Sequence, residues 1–172
     1  DEVQCGLGRT GHLFAYQASG IEPDLLTLAK PLAGGLPMGA VLLSERVAQA
    51  VQPGDHATTF GGGPLVATVA AAVFARISDP VFLQRVRSLG DCLHTRLQDL
   101  AASSARVVGV RGAGLMWGIA LDIPAAPVAA AALDRGLLVA TAGERVVRLL
   151  PPLVIDEADI DEAVAVLREV LA

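Results

Sequence analysis

The sequence has little of what would point away from a packed globular chain. Aromatic residues make up 3% and charged residues only 18% of its 172 positions, while hydrophobic residues reach 53%. A chain this apolar is not disordered, and its bias to Ala, Val, Leu and Gly suits close-packed helices and Val-rich strands. Cationic excess is missing: the net charge is −5 and the basic residues form no stripe, which argues against nucleic acid as a partner. No apolar run is long enough to span a bilayer, and the most apolar windows, 65–74 and 125–133, are short and Ala-rich. Only two cysteines occur, Cys5 and Cys92, with neither metal-ligand spacing nor a disulfide framework, so a reducing, cytoplasmic setting is expected. Nothing at the start resembles a signal peptide, and the chain opens on Asp1 rather than Met. We expect it to be a portion of a longer protein.

What is present is an alternation of apolar segments with Gly- and Pro-rich loops. The short runs 24–29 and 40–43 read as buried strands, residues 1–3 as the end of another, and Ser44 as the cap of a short helix reaching residue 50. Residues 13–18 read as a short helix ended by Gly20. Residues 31–39 are rich in Gly and Pro and form a loop. Pro64 opens a very apolar helix to residue 77. A longer amphipathic helix covers 79–100, with Phe82, Val86, Leu89, Leu93 and Leu97 on one face. Beyond Ser104, segments 107–110, 114–121, 137–140 and 146–150 read as strands. Residues 127–135 and 157–171 read as helices, the second capped by Asp156. The pattern is an α/β segment followed by a small α+β domain, and we set the domains at 1–90 and 91–172.

Three features carry chemistry. Gly6-Leu7-Gly8-Arg9-Thr10-Gly11 matches the dinucleotide pattern G-x-G-x-x-G, but little chain precedes it, and only about two helical turns fit before Gly20. Glycines for a tight turn explain it better. Lys30 ends an apolar run and precedes Pro31-Leu32-Ala33-Gly34-Gly35. Partial desolvation there would favour the neutral, nucleophilic amine of a Schiff-base former, and the glycines let backbone approach a ligand closely. Asp1 is a carboxylate of the kind that pairs with a cationic ring nitrogen. One strand–loop–helix–strand unit separates it from Lys30, so both can reach one sheet edge.

Four segments in register resemble the class-III aminotransferases. They are Asp1-Glu2-Val3-Gln4-Cys5-Gly6-Leu7-Gly8-Arg9-Thr10-Gly11, Thr27-Leu28-Ala29-Lys30-Pro31-Leu32-Ala33-Gly34-Gly35-Leu36-Pro37-Met38-Gly39-Ala40, His56-Ala57-Thr58-Thr59-Phe60-Gly61-Gly62, and Arg148-Leu149-Leu150-Pro151-Pro152-Leu153. The wording is nearest to the acetylornithine/ornithine group. The resemblance implies a fold-type-I transferase: 1–90 as the C-terminal part of a large domain with a mixed or parallel sheet, and 91–172 as a small α+β C-terminal domain. It implies pyridoxal 5'-phosphate as cofactor, no metal, and a homodimer. The implied reaction moves an amino group from acetylornithine, or a related ω-amino donor, to 2-oxoglutarate.

The resemblance also implies roles. Lys30 would form the Schiff base with the cofactor and shuttle the substrate α-proton. Asp1 would keep the ring nitrogen protonated, with Glu2, Val3 and Gln4 among the cofactor contacts: Val3 against the ring face, Gln4 on the phenolic oxygen. Thr59 would contact the cofactor phosphate, usually that of the other subunit, and Thr58 the substrate. Arg148 would clamp the substrate α-carboxylate, a task that suits a guanidinium fork. Arg9 and Arg111 are expected to hold loops by bonding backbone, His56 to be structural, Cys5 and Cys92 to be inert, and Met116 and Trp117 to be core. Gly63 stands where most of the family carries Asn, with a small effect on stability expected.

The family's N-terminal half, which supplies most of the phosphate cup, is not among these motifs. The chain alone is therefore expected to be nearly inactive and to expose surface prone to association. Two other readings stand beside this one: a non-catalytic truncated remnant, and a nicotinamide-dependent oxidoreductase built on Gly6, Gly8 and Gly11, for which a helix is missing and Asp24 falls too early.

Overall fold

A computed structural model describes residues 1–59 and 61–172. The chain divides into two compact units, Asp1–Gln84 and Arg85–Ala172.

In the first unit, β1 (Leu25–Leu28) pairs antiparallel with β2 (Ala40–Leu43), with Leu25 opposite Leu43 and Leu28 opposite Ala40. The segment between them winds into a 3-10 turn, Lys30–Ala33, and leaves it through Gly34 and Gly35 at φ 62° and 103°. Gly34 is required twice over. Glycine adopts that φ without strain, and a Cβ there would stand 3.2 Å from Val73 Cγ2 on helix α2 (Pro64–Ile77), following the short helix α1 (Glu45–Ala48). Leu26 and Leu28 alternate inward and are buried with Leu32 and Ala33. The expectation of two buried strands holds only in part: Leu25 is exposed, and so is β2 from Val41 to Leu43, because the unit covers one side of β1 and neither side of β2.

Other local expectations shift for physical reasons. Residues 1–3 are not strand but the start of a tight turn. Val3 N–H donates to Asp1 Oδ1 (2.9 Å) and Gly6 N–H to the Glu2 carbonyl (3.1 Å), which curls the chain. The expected helix at 13–18 is a five-residue 3-10 helix, Ala15–Ser19, ended as expected by Gly20 in the left-handed region. Ser44 stands at the N-cap of α1, yet its hydroxyl donates to Asp24 Oδ1 (2.9 Å) instead of capping. Pro64 opens α2 as expected, with Gly63 at its N-cap.

The unit boundary falls within α3 (Pro80–Ser103). In the second unit its Val86, Leu89, Leu93, Leu97 and Leu100 are buried, as the 3.6-residue period predicts. β3 (Val107–Ala113), β4 (Met116–Leu121), β5 (Ala140–Thr141) and β6 (Val146–Leu149) form an antiparallel sheet in the order β3-β4-β6-β5. Trp117, Ile119 and Leu121 point to the same core as Val147 and Leu149. Helices α4 (Ala125–Leu133) and α5 (Glu157–Val170) add Val128, Ala132, Ile160, Val164 and Leu167. Asp156 caps α5 by accepting from Asp159 N–H (3.0 Å), while Asp159 accepts from Asp156 N–H (3.2 Å), a reciprocal capping box. The expected strand at 137–140 is only Ala140–Thr141, and Leu138 is 81% exposed. An apolar run lacking ladder partners does not become a strand. Trp117 is core as expected, its Nε1 donating to the Gly114 carbonyl (2.7 Å), while Met116 is half-buried.

Candidate functional site

The first unit brings the Asp1 segment to the side of β1, the strand that leads into Lys30. Glu2 N–H donates to the Thr27 carbonyl (3.0 Å), and Thr27 Oγ1 donates to Asp1 Oδ1 (3.0 Å). With the Val3 N–H, the Asp1 carboxylate therefore has two donors on one oxygen. Val3 and Gln4 follow, half-buried in the turn.

Lys30 begins the 3-10 turn three residues after Thr27, at φ +27°, a value that non-glycine residues rarely adopt. Ala29 before it has φ −157° and ψ −130°, also outside the common regions. Strain of this kind persists where the surroundings fix it, and it clusters at functional positions. The expected desolvation of Lys30 is not found: its side chain is exposed, because β1 ends at Leu28 and the turn lifts Lys30 off the covered side. Among the described residues it makes no hydrogen bond or ion pair. Lys30 is also the sole lysine of the chain, every other strong cation being arginine.

Glu2 behaves differently from its neighbours. Its Oε2 accepts from Ala15 N–H (2.9 Å) and its Oε1 from Tyr16 N–H (2.9 Å), so it occupies the N-terminus of the 3-10 helix that follows the glycine loop. That disposes of the dinucleotide reading. The helix after the loop is five residues long, and the donors that would meet a pyrophosphate already hold a carboxylate. Cys5 Sγ donates to Glu2 Oε2 (3.4 Å) and to the Asp1 carbonyl (3.3 Å). Burial, and then the Glu2 charge, push its thiol pKa up, which disfavours the reactive thiolate. Burial also lowers the pKa of the Arg9 guanidinium in the same loop.

Thr58 and Thr59 lie in the exposed, irregular segment before α2, where Thr58 Oγ1 accepts from Gly61 N–H (3.0 Å). Phe60 of the same motif lies outside the described residues.

In the second unit Arg148 sits mid-strand on β6, on the face opposite Val147 and Leu149. Its cross-strand partners are Gly118 and Ala140, and these small residues leave space for the guanidinium. Arg148 lines a cavity of about 800 Å³ whose walls include Leu93, Leu137, Pro151, Ile155 and Ile160. Arg85, from α3, donates to the Leu153 carbonyl (3.1 Å), the Val154 carbonyl (3.4 Å) and the Ile155 carbonyl, clamping the loop after Pro151-Pro152 that forms one wall. No local signal could reveal Arg85, whose partners lie some 70 residues away. Arg111, expected to hold a loop, lies on β3 opposite Gly118 and is exposed, and its guanidinium makes no hydrogen bond among the described residues.

The family profile Aminotransferase class-III matches residues 1–171, and the chain belongs to that family. The mitochondrial acetylornithine aminotransferase of Alnus glutinosa is 51% identical over 99% of this chain and 38% of its own length. The solved N-acetylornithine aminotransferase of Stenotrophomonas maltophilia is 33% identical with a TM-score of 0.88, covering 99% of this chain and 45% of that one. The Toxoplasma gondii ornithine aminotransferase, crystallised with oxidised glutathione and described with partial occupancy of PLP at its active site, is 31% identical with a TM-score of 0.90, covering 99% and 41%. The fold expectation is thus borne out: the chain folds as the corresponding part of these aminotransferases. It spans 38% to 44% of the length of the curated relatives it matches. No single helix among the described residues is long and apolar enough to cross a membrane.

Proposed function

We propose that this chain is the lysine-bearing portion of a pyridoxal-phosphate-dependent aminotransferase. It would move the amino group of acetylornithine, or of a related ω-amino donor, to 2-oxoglutarate. The observation that carries the reading is the junction of Asp1 with β1 through Thr27, beside a solvent-accessible Lys30 held at positive φ. The residues fit the cofactor: an amine with no competing partner among the described residues, and a carboxylate fixed beside β1 by two donors. We read 1–90 as part of the large cofactor-binding domain and 91–172 as the small C-terminal one, a division six residues from the boundary of the two compact units at Gln84. The reading includes a homodimer and a reducing, cytoplasmic setting, and Cys5 and Cys92 are both free thiols.

Each residue has a task. Lys30 Nζ would hold the cofactor, and its amine would take the substrate α-proton and later return it. Asp1 keeps a proton on the ring nitrogen, the carboxylate–cation pairing such sites need. Val3 would pack on the ring, and Gln4 would bond its phenolic oxygen. Thr59 contacts phosphate and Thr58 contacts substrate. Arg148 receives the substrate carboxylate with a two-pronged hydrogen bond, in a setting whose small neighbours do not crowd it. When bound, pyridoxal phosphate supplies the electron sink that stabilises negative charge at the substrate α-carbon.

Initial-rate kinetics of the intact protein that carries this chain test the proposal. Parallel double-reciprocal lines for acetylornithine and 2-oxoglutarate are expected, because the amino group is parked on the enzyme between two half-reactions. Intersecting lines would contradict it.

A further inference from the structure

We infer that Glu2 is a positioning residue: it does not touch the cofactor but fixes Asp1 beside β1 by locking the glycine loop onto the following 3-10 helix. The inference rests on the roles proposed for Asp1 and Lys30. Glu2 is 4% exposed and is the one buried charged residue among the described residues. A carboxylate this deep is costly to bury unless donors satisfy it. Here they do, with Ala15 N–H and Tyr16 N–H at 2.9 Å each and the Cys5 thiol at 3.4 Å. The two amides are at the start of the 3-10 helix, where backbone donors lack partners within the helix.

The backbone of Glu2 is held as firmly as its side chain. Its N–H donates to Thr27 and its carbonyl accepts from Gly6. Gly6 has to be glycine, since a Cβ there would stand 2.8 Å from both the Glu2 Cβ and the Glu2 carbonyl oxygen. Asp1 is the adjacent residue, and its own carboxylate reaches Thr27 and Val3. The register of Asp1 against the strand that delivers Lys30 therefore depends on Glu2 staying where it is. Resemblance alone groups Glu2 with the cofactor contacts. The geometry gives it a different task, because each of its carboxylate oxygens is already engaged inside the loop.

The test uses the intact protein with Glu2→Gln. The amide keeps the size but turns one acceptor into a donor that faces a backbone N–H. Affinity for pyridoxal phosphate, read by absorbance titration, is expected to fall about tenfold, the scale of one hydrogen bond to a charged group. The pH midpoint of the bound cofactor's visible band is expected to move by about one unit, as a tenfold change in coupling to Asp1 requires. A purely structural weakening would leave that midpoint in place. Ala15→Pro is the second variant. It deletes one donor without touching Glu2, and Phe14, at φ −126° and ψ 136°, already has the extended conformation that precedes proline. It should shift the midpoint in the same sense by less, and that shift supports the inference even where Glu2→Gln fails to fold. An unmoved midpoint in Ala15→Pro, or in a folded Glu2→Gln, overturns the inference while the cofactor reading stands. An unsubstituted protein that captures no pyridoxal phosphate on Lys30 overturns the cofactor reading, and the inference with it.

Discussion

The two units hold their residues in place by different means. In Arg85–Ala172 the buried faces of α3, β4, β6 and α5 meet in one apolar core, and few large apolar side chains are left outside. In Asp1–Gln84 more large apolar side chains are exposed, among them Ile21, Leu25, Val41, Leu42, Leu43 and Leu65. Most of the proposed chemistry nevertheless lies in this thinner unit, where single polar contacts do what packing does in the other. Asp1 is tied by Thr27, the glycine loop by Glu2, and β1 to α1 by the Asp24–Ser44–Arg46 cluster. Residues placed by a few directional bonds are sensitive to the loss of any one. Residues placed by a core respond mainly to lost volume.

The contrast is broken or sharpened by substitution in each unit. The largest effect is expected for Leu97→Ala, since Leu97 is 0% exposed in the second unit. Truncation there should cost about 2–5 kcal/mol in denaturant unfolding. The companion change Val41→Ala, at 57% exposure in the first unit, should stay within about 0.5 kcal/mol. Equal losses would erase the distinction. Arg85→Ala should come next, at about 1 kcal/mol. Its signature is local: the Ile155 N–H, which donates to the Pro152 carbonyl (3.1 Å), should exchange with solvent several-fold faster, because the loop loses its clamp.

The smallest effect belongs to Asp24→Asn. The Ser44 hydroxyl, and then Arg46, hold the Asp24 carboxyl below its ordinary pKa. A carboxylate whose folded pKa is depressed contributes stability above its unfolded pKa and loses it as pH falls through the folded value. Asp24→Asn should therefore lower the urea midpoint slightly at neutral pH and not at all below the carboxylate range. The group is exposed, and solvent screening keeps the difference small. A larger penalty in acid than at neutrality would contradict the assignment.

The sequence made the second unit's packing more legible than the first unit's contacts. The face from Val86 to Leu97 follows from helical period, and Asp156 announces the start of α5 by local chemistry that acts within one turn, as Pro64 does for α2 in the first unit. Lys30 and Asp1 stand out in the sequence because their types, their spacing and the motifs around them suit one reaction. What stayed hidden depends on partners far along the chain. Ser44 turns to Asp24, Glu2 reaches Ala15 and Tyr16, and Arg85 reaches the carbonyls of Leu153, Val154 and Ile155. The apolar run at 40–43 reads as buried by composition, but burial depends on what covers a strand, which composition does not encode.

The most direct test of the central claim is covalent capture at Lys30. The intact protein is loaded with pyridoxal phosphate, reduced with borohydride, digested and mapped by mass spectrometry. The account predicts label on Lys30, and none there in Lys30→Ala. Label on other amines with Lys30 unmodified would contradict it.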